Sequence, residues 1–216
     1  MRRDFFLLEG SWFDEQLKPA LAASWRQKSF QPCQVLCLEL AGAARRFADT
    51  YHVCLEGSTL FAVVAGLSFD RNVWRCLVGE MLLYGAVECP EIQTAPATLG
   101  MLLAPHCPPF PTGQREALAS IQQAHFGSRD LRFGAGFFRP AQVGLNNQAD
   151  VGRLADYLGA VIPDGWTTAD LAAFAELADE EDRAAELEFV RDWFPALRQL
   201  YERARERNQI IVCECQ

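Results

Sequence analysis

Apolar residues recur at every third or fourth position over most of the chain, which is the spacing of amphipathic helices. The stripe that follows Asp70 is the most regular one in the first half, and Asp70 is a suitable N-cap for it. Thr94 and Thr167 give further helix-start signals. Pro195 should kink the last helical pattern or restart it. The predicted helices cover residues 14–28, 33–50, 58–66, 70–82, 94–103, 114–124, 149–160, 167–177, 179–194 and 195–207.

Strands are predicted at a few short segments between the helices. Residues 5–8 form a compact apolar run, and Leu131 and Phe133 alternate with polar neighbours. The β-branched run Ile210-Ile211-Val212 indicates a terminal strand that pairs with residues 5–8 or with the central strand. Residues 104–113 hold four prolines and a glycine, which predicts a loop. We expect an α+β fold, a helix-rich single domain over residues 1–216 with a small sheet that includes the C-terminal strand.

Composition narrows the class of protein. Half of the 216 residues are apolar, which is enough for one substantial core. The net charge of −8 disfavours nucleic-acid binding, because that affinity depends on basic side chains that neutralise phosphates. The N-terminal apolar run is too short for a secretory signal, and no segment has the length of a membrane span. The sequence predicts a cytoplasmic protein with no membrane partner.

The chain has eight cysteines, and we expect them to be free thiols that act as small buried hydrophobic residues. The alternative is a structural metal on Cys33, Cys37, His52 and Cys54, whose donor atoms suit zinc. Their spacing matches no recognised zinc motif, so we predict no metal and no cofactor.

The C-terminal third resembles the YfbM-like family of small uncharacterised bacterial cytoplasmic proteins. The resemblance is carried by Trp193-Phe194-Pro195-Ala196-Leu197-Arg198-Gln199-Leu200-Tyr201-Glu202-Arg203-Ala204 followed by Ile210-Ile211-Val212. A second similar segment is Phe137-Phe138-Arg139-Pro140-Ala141-Gln142-Val143, which leads into the helix at 149–160. The resemblance implies an α+β fold with a small sheet edged by helices, and it implies no activity.

The sequence contains no P-loop, GxGxxG, GxSxG or HExxH motif. Its densest group of reactive side chains runs from Gln122 to Asp130. There His125 could act as a general base, oriented by Asp130 or Glu91. Gln122, Gln123 and Arg129 would bind the substrate. Alternatively, His125 ends a helix and bonds a carbonyl of the last turn, while Arg129 and Asp130 form surface pairs.

Two further groups are candidate binding residues. Glu80 and Tyr84 lie four positions apart and, with Glu88, would line one helix face that could hold a metal or move protons. The alternative is a solvated face opposite the apolar stripe. Asn146 could recognise a ligand through its amide, or it could be an ordinary turn residue. Arg139, which lies in the second segment that resembles the YfbM-like family, is the last candidate binding residue.

Two hypotheses about function follow from these patterns. The first is a non-catalytic protein-binding module, immunity-like or antitoxin-like. It rests on the missing catalytic motifs, the acidic surface, positive charge supplied almost wholly by Arg, and the aromatic-rich segment Phe126–Phe138. Arg and aromatic residues are typical anchors of interfaces. The alternative is a small-molecule hydrolase or transferase with a pocket of His125, Arg129, Asp130 and a carboxylate from residues 80–91. Whether the protein is an enzyme stays open at this point.

Overall fold

The computed structural model describes residues 2–41, 66–103, 111–128, 131–133, 136–138, 140 and 143–214. The strands are β1 (Arg2–Glu9), β2 (Glu91–Gln93), β3 (Leu131–Phe133), β4 (Gly136–Phe138), β5 (Val143–Asn146) and β6 (Gln209–Glu214). Helix α1 is continuous through Gly10–Trp12, a π-helical turn at Phe13–Leu17 and Lys18–Gln27. The other helices are α2 (residues 34–41), α3 (Arg71–Tyr84), α4 (Pro96–Leu103), α5 (Pro111–Phe126), α6 (Gln148–Gly159) and α7 (Glu180–Glu206).

Four strands form one antiparallel sheet in the order β2-β1-β6-β5, and β3 with β4 forms a separate hairpin. The two ends of the chain pair directly, with Phe5 opposite Cys213 and Glu9 opposite Gln209. The predicted pairing of the terminal strand with residues 5–8 is therefore confirmed. The predicted fold class, α+β with a small sheet that includes the C-terminal strand, is also confirmed.

Both faces of this sheet are covered by helices, which explains why residues 5–8 of β1 form a continuous apolar run. Because side chains alternate along a strand, Phe6 and Leu8 project to one side while Phe5 and Leu7 project to the other. Helices α1, α2 and α3 pack on the first side, and we call them the first layer. Helices α4, α5, α6 and α7 pack on the second side and form the second layer.

Capping side chains fix where several of these helices begin. The Asp70 carboxylate accepts hydrogen bonds from the backbone N–H groups of Asn72 and Val73 at 2.8 and 2.9 Å. Asn147 and Asp150 form a reciprocal capping box at the start of α6. Asp179 caps α7 through the N–H group of Asp182 at 2.8 Å.

Some predicted elements differ from the structure. The Thr167 capping box is present, but it opens only a 3-10 turn at Thr168–Leu171, so the predicted helix 167–177 is wrong. Pro195 lies inside the unbroken helix Glu180–Glu206, so the helix does not restart there. Helix α5 begins at Pro111, inside the predicted loop 104–113. Residues 42–65, which include the predicted helix at 58–66, lie outside the described residues.

Among the described residues, no helix combines the length and the apolar character that crossing a bilayer requires.

Candidate functional sites

His125 lies near the end of α5 and is fully buried. Its Nδ1 atom lies 2.8 Å from the carbonyl oxygen of Ile121, one turn earlier, which is the contact that the structural alternative predicts. Its ring packs edge to face against Trp193, with the centroids 5.9 Å apart. A general base must reach the proton that it removes, and burial in the core holds this imidazole away from any surface cleft.

The side chains of Gln123 and Asn146 do meet, in a buried polar network. The Asn146 amide donates to the carbonyl oxygen of Gln123 and to the Tyr201 hydroxyl oxygen, both at 2.9 Å. The Tyr201 hydroxyl donates to the carbonyl oxygen of Ala124 at 2.6 Å, and burial raises the pKa of this phenol. The Gln123 amide donates to Asn146 Oδ1 at 3.2 Å.

These bonds join β5 to α5 and α7, so this network connects the second layer to the sheet. Asn146 is fully buried, and its amide N–H groups donate to protein acceptors. The structure therefore supports a structural role for this amide rather than contact with a ligand in open solvent.

The other candidate residues lie elsewhere. Glu80 and Tyr84 are on α3 in the first layer, on the opposite side of the sheet from His125. Glu91 lies in β2 opposite Asp4, and Gln122 is exposed on α5. Arg129, Asp130 and Arg139 lie outside the described residues. The described members of the set thus do not converge in one pocket.

Glu88 does not continue the predicted face of Glu80 and Tyr84. Helix α3 ends at Tyr84, and residue 88 instead bridges to Leu7 of β1. The Glu88 carboxylate pairs with Arg203 at 3.7 Å and also with Arg207. The predicted stripe of three residues on one helix is therefore wrong, because it needs about one more helical turn than α3 provides.

A polar cleft of about 470 Å³ opens between the π-helical turn of α1 and the beginning of α6. Asp14 and Lys18 line it from one side and form an ion pair with each other at 3.4 Å. Asn147 and Asp150 line it from the other side and are engaged in the capping box. Its charged groups thus already have partners within the protein.

Two of the described thiols, Cys33 and Cys37, suit a structural role, whereas Cys76 and Cys89 are half-buried. Cys33 and Cys37 are fully buried in the first layer. Burial raises the pKa of Cys33 to about 11, and burial with the nearby Cys33 and Glu80 raises that of Cys37 to about 12. Thiols of this kind are protonated and poorly nucleophilic at neutral pH. Among the described residues no cluster could hold a metal, and His52 and Cys54 lie outside them.

A surface that the sequence patterns did not single out lies on the first layer. Trp25 and Phe69 are half-buried, with ring centroids 6.1 Å apart, and the Lys28 ammonium lies 3.4 Å from the Trp25 centroid. A shallow groove of about 300 Å³ runs beside them, between Gln34 and Leu67. We call this surface the Trp25 patch; its members are Trp25, Lys28, Gln34, Val35, Leu38, Leu67, Phe69 and Arg71.

The aliphatic members of the Trp25 patch are unusually open to solvent. Val35 is 66% exposed, Leu38 is 59% exposed and Leu67 is 49% exposed. One signal could have revealed this: α2 carries Val35 and Leu38 in addition to Leu36 and Leu40, which already face the core. A short helix on the protein surface needs only one apolar stripe, so the second stripe requires another explanation.

The chain matches no protein-family model, no curated protein and no solved structure. The resemblance to the YfbM-like family stays a prediction.

Proposed function

We propose that this protein is a non-catalytic, cytoplasmic protein-binding module that contacts its partner through the Trp25 patch. The observation that carries the proposal is the exposure of Val35, Leu38 and Leu67, together with the groove that Leu67 shares with Gln34 of the same helix α2. Contiguous exposed apolar side chains next to aromatic and cationic ones are characteristic of interaction surfaces. The immunity-like or antitoxin-like role is the class of binding module that we favour.

The geometry of the polar candidates supports a binding role over an enzymatic one. His125 is enclosed by the second layer, and the Gln123 and Asn146 amides bond to each other. Glu80 and Tyr84 lie across the sheet from them. A pocket in which the His125 imidazole, the Glu80 carboxylate and the Tyr84 phenol act together would require elements on opposite faces of the sheet to meet.

The test is capture from a lysate of the source cell with the immobilised full chain, comparing the wild type with Leu38→Glu. We expect a discrete protein that the wild type retains and the variant loses. Ile162→Glu is the matched control, because Ile162 is 75% exposed but lies outside the Trp25 patch. Equal recovery on all three forms, or recovery on none, would count against the proposal.

A further inference from the structure

The two segments that supply the Trp25 patch carry a net positive charge, opposite in sign to that of the whole chain. The chain has a net charge of −8, but residues 24–41 and 66–75 contain four basic side chains and two acidic ones. The basic ones are Arg26, Lys28, Arg71 and Arg75, and Lys28 is one of only two lysines in the sequence. A positive region on an acidic protein favours a negatively charged partner and repels a second surface of its own kind.

The cations of this region are held in defined positions. The Lys28 ammonium lies 3.4 Å from the Trp25 centroid and 5.5 Å from that of Phe69. The Arg71 guanidinium carbon lies 5.8 Å from the Trp25 centroid. Stacking on an aromatic face restricts a long side chain, so less entropy is lost when it binds a carboxylate.

The rings under these cations are themselves anchored in the core of the first layer. Trp25 packs against the fully buried Trp74, with centroids 4.9 Å apart. Phe69 packs against the buried Phe30 at 5.4 Å. The patch is therefore a rigid platform, which reduces the cost of ordering it in a complex.

The aliphatic members of the Trp25 patch lie on α2 and at residue 67. The groove beside Phe30 is bounded by Gln34 and Leu67; on α2, Val35 directly follows Gln34, and Leu38 lies one turn after it. Val35 and Leu38 are three positions apart, so their side chains lie on one face of the helix. A partner segment that fits must place large apolar side chains over α2 and carboxylates over Lys28 and Arg71.

We propose that the Trp25 patch binds an acidic amphipathic segment of a partner protein, through carboxylate contacts to Lys28 and Arg71 and apolar contacts to Val35, Leu38 and Leu67. This inference rests on the proposed function and specifies the chemistry of the partner. The acidic start of α7 in a second copy of this chain is a different occupant, and the experiment separates the two.

The experiment titrates the full chain against two fluorescein-labelled helical peptides of about 18 residues, long enough to form several turns. Both peptides carry Leu and Phe at the same positions; one has Glu and the other Lys at the flanking positions. We expect the Glu peptide to bind at least about tenfold more tightly by fluorescence anisotropy. Its affinity should fall several-fold between about 50 and about 500 mM salt.

Charge variants then assign the contact. Lys28→Glu with Arg71→Glu should weaken binding of the Glu peptide by about tenfold or more. Lys28→Arg retains both the charge and the cation–π contact, and it should bind like the wild type. Lys18→Glu is the matched control, because Lys18 lines the polar cleft beside α6 and lies outside the patch. Circular dichroism confirms that each variant is folded.

Four results would overturn the inference: no binding of the Glu peptide, equal binding of both peptides, unchanged binding by the double variant, or a wild-type dimer in sedimentation that the double variant dissociates. The last would identify a second copy as the occupant. If the peptides fail while lysate capture still depends on Leu38, the partner chemistry is wrong and the proposed function stands. If capture also fails, both proposals fall.

Discussion

The two layers differ in where their polar side chains lie. In the second layer, polar side chains are buried: Tyr201, Asn146 and Gln123 bond to each other and to backbone carbonyls. In the first layer the interior is almost wholly apolar, apart from Ser24, which accepts from the Trp74 indole N–H at 3.1 Å. Its cationic side chains Lys28 and Arg71 lie on the outside, stacked on the half-buried Trp25.

The outer surfaces differ in the same systematic way. Helix α7 begins with Glu180, Glu181 and Asp182, and its charged side chains form pairs within the chain, such as Arg205 with Asp156 at 2.7 Å. The first layer exposes two large apolar side chains, Val35 and Leu38, on one face of a single helix. The comparison teaches that clustered polar residues in a sequence can serve folding, while an unremarkable apolar helix provides the accessible surface.

The largest expected effect tests how tightly the second layer is fixed to the sheet. At Gly144 in β5, an added Cβ would lie 1.6 Å from the carbonyl oxygen of Phe126. Gly144→Ala must therefore displace β5 or the end of α5, and we expect a loss of about 3 kcal/mol in the free energy of unfolding, measured by urea titration. Gly152→Ala, where the Cβ meets nothing within 4 Å, should instead gain about 0.5–1 kcal/mol.

Equal urea midpoints of unfolding for the two glycine variants would show that β5 and α5 move apart at little cost in stability where they cross. The second layer would then lack the rigidity that distinguishes it from a loosely packed face.

The next effect tests the apolar interior of the first layer through pH. The pKa of Cys33 is about 11 and that of Cys37 about 12, whereas an unfolded thiol titrates near 8.5. Above that value the unfolded chain loses its protons first, so stability is complete below about pH 8.5 and falls as pH rises. Between about pH 8 and about pH 9.3, the wild type should lose about 2 kcal/mol more than Cys33→Ala/Cys37→Ala in urea titrations.

Parallel pH profiles for the wild type and the double alanine variant would contradict this prediction. They would mean that the two thiolates are accommodated inside the first layer, which its apolar lining does not allow.

The sequence predicts features that depend on neighbours along the chain. The Asp70 cap, the Thr167 box and the terminal strand could be found because each has a local pattern. A capping box specifies only how a helix starts, so it could not show that the turn after Thr167 stops at Leu171. The π-helical turn at Phe13–Leu17 also has no local sequence pattern that predicts it.

The candidate sites could not be predicted because they depend on which side of the sheet each helix covers. Asn146 and Tyr201 are 55 positions apart and meet only because β5 and α7 pack in the same layer. Glu80 and His125 are closer in sequence but are separated by the sheet. Exposure of Val35 and Leu38 likewise depends on which face of α2 contacts the core.

A smaller effect tests whether the two layers are energetically independent. Tyr201→Phe removes the hydroxyl that bonds to Asn146 and Ala124, and we expect a loss of about 1–2 kcal/mol. Ser24→Ala removes the acceptor of the Trp74 indole in the first layer and should cost a similar amount. Because the sites share no partner and lie on opposite faces, the double variant should show additive losses by urea titration.

A coupling energy above about 0.5 kcal/mol between these two substitutions would show that the sheet transmits strain from one layer to the other. The opposite cycle, Tyr201→Phe with Asn146→Ala, should be clearly non-additive, because the two side chains bond directly at 2.9 Å.

The smallest expected effect concerns the outer surface of the first layer. Val35→Glu and Leu38→Glu should change the free energy of unfolding by less than about 0.5 kcal/mol, because both side chains are mostly exposed. Leu36→Glu, one position along α2 but only 8% exposed, should unfold the layer or cost several times more. The loss of stability of the three variants, measured by thermal and urea unfolding, shows whether this apolar surface stabilises the fold or is free to bind a partner. A loss at Leu38 comparable to that at Leu36 would place this stripe in the core and remove the argument for the Trp25 patch.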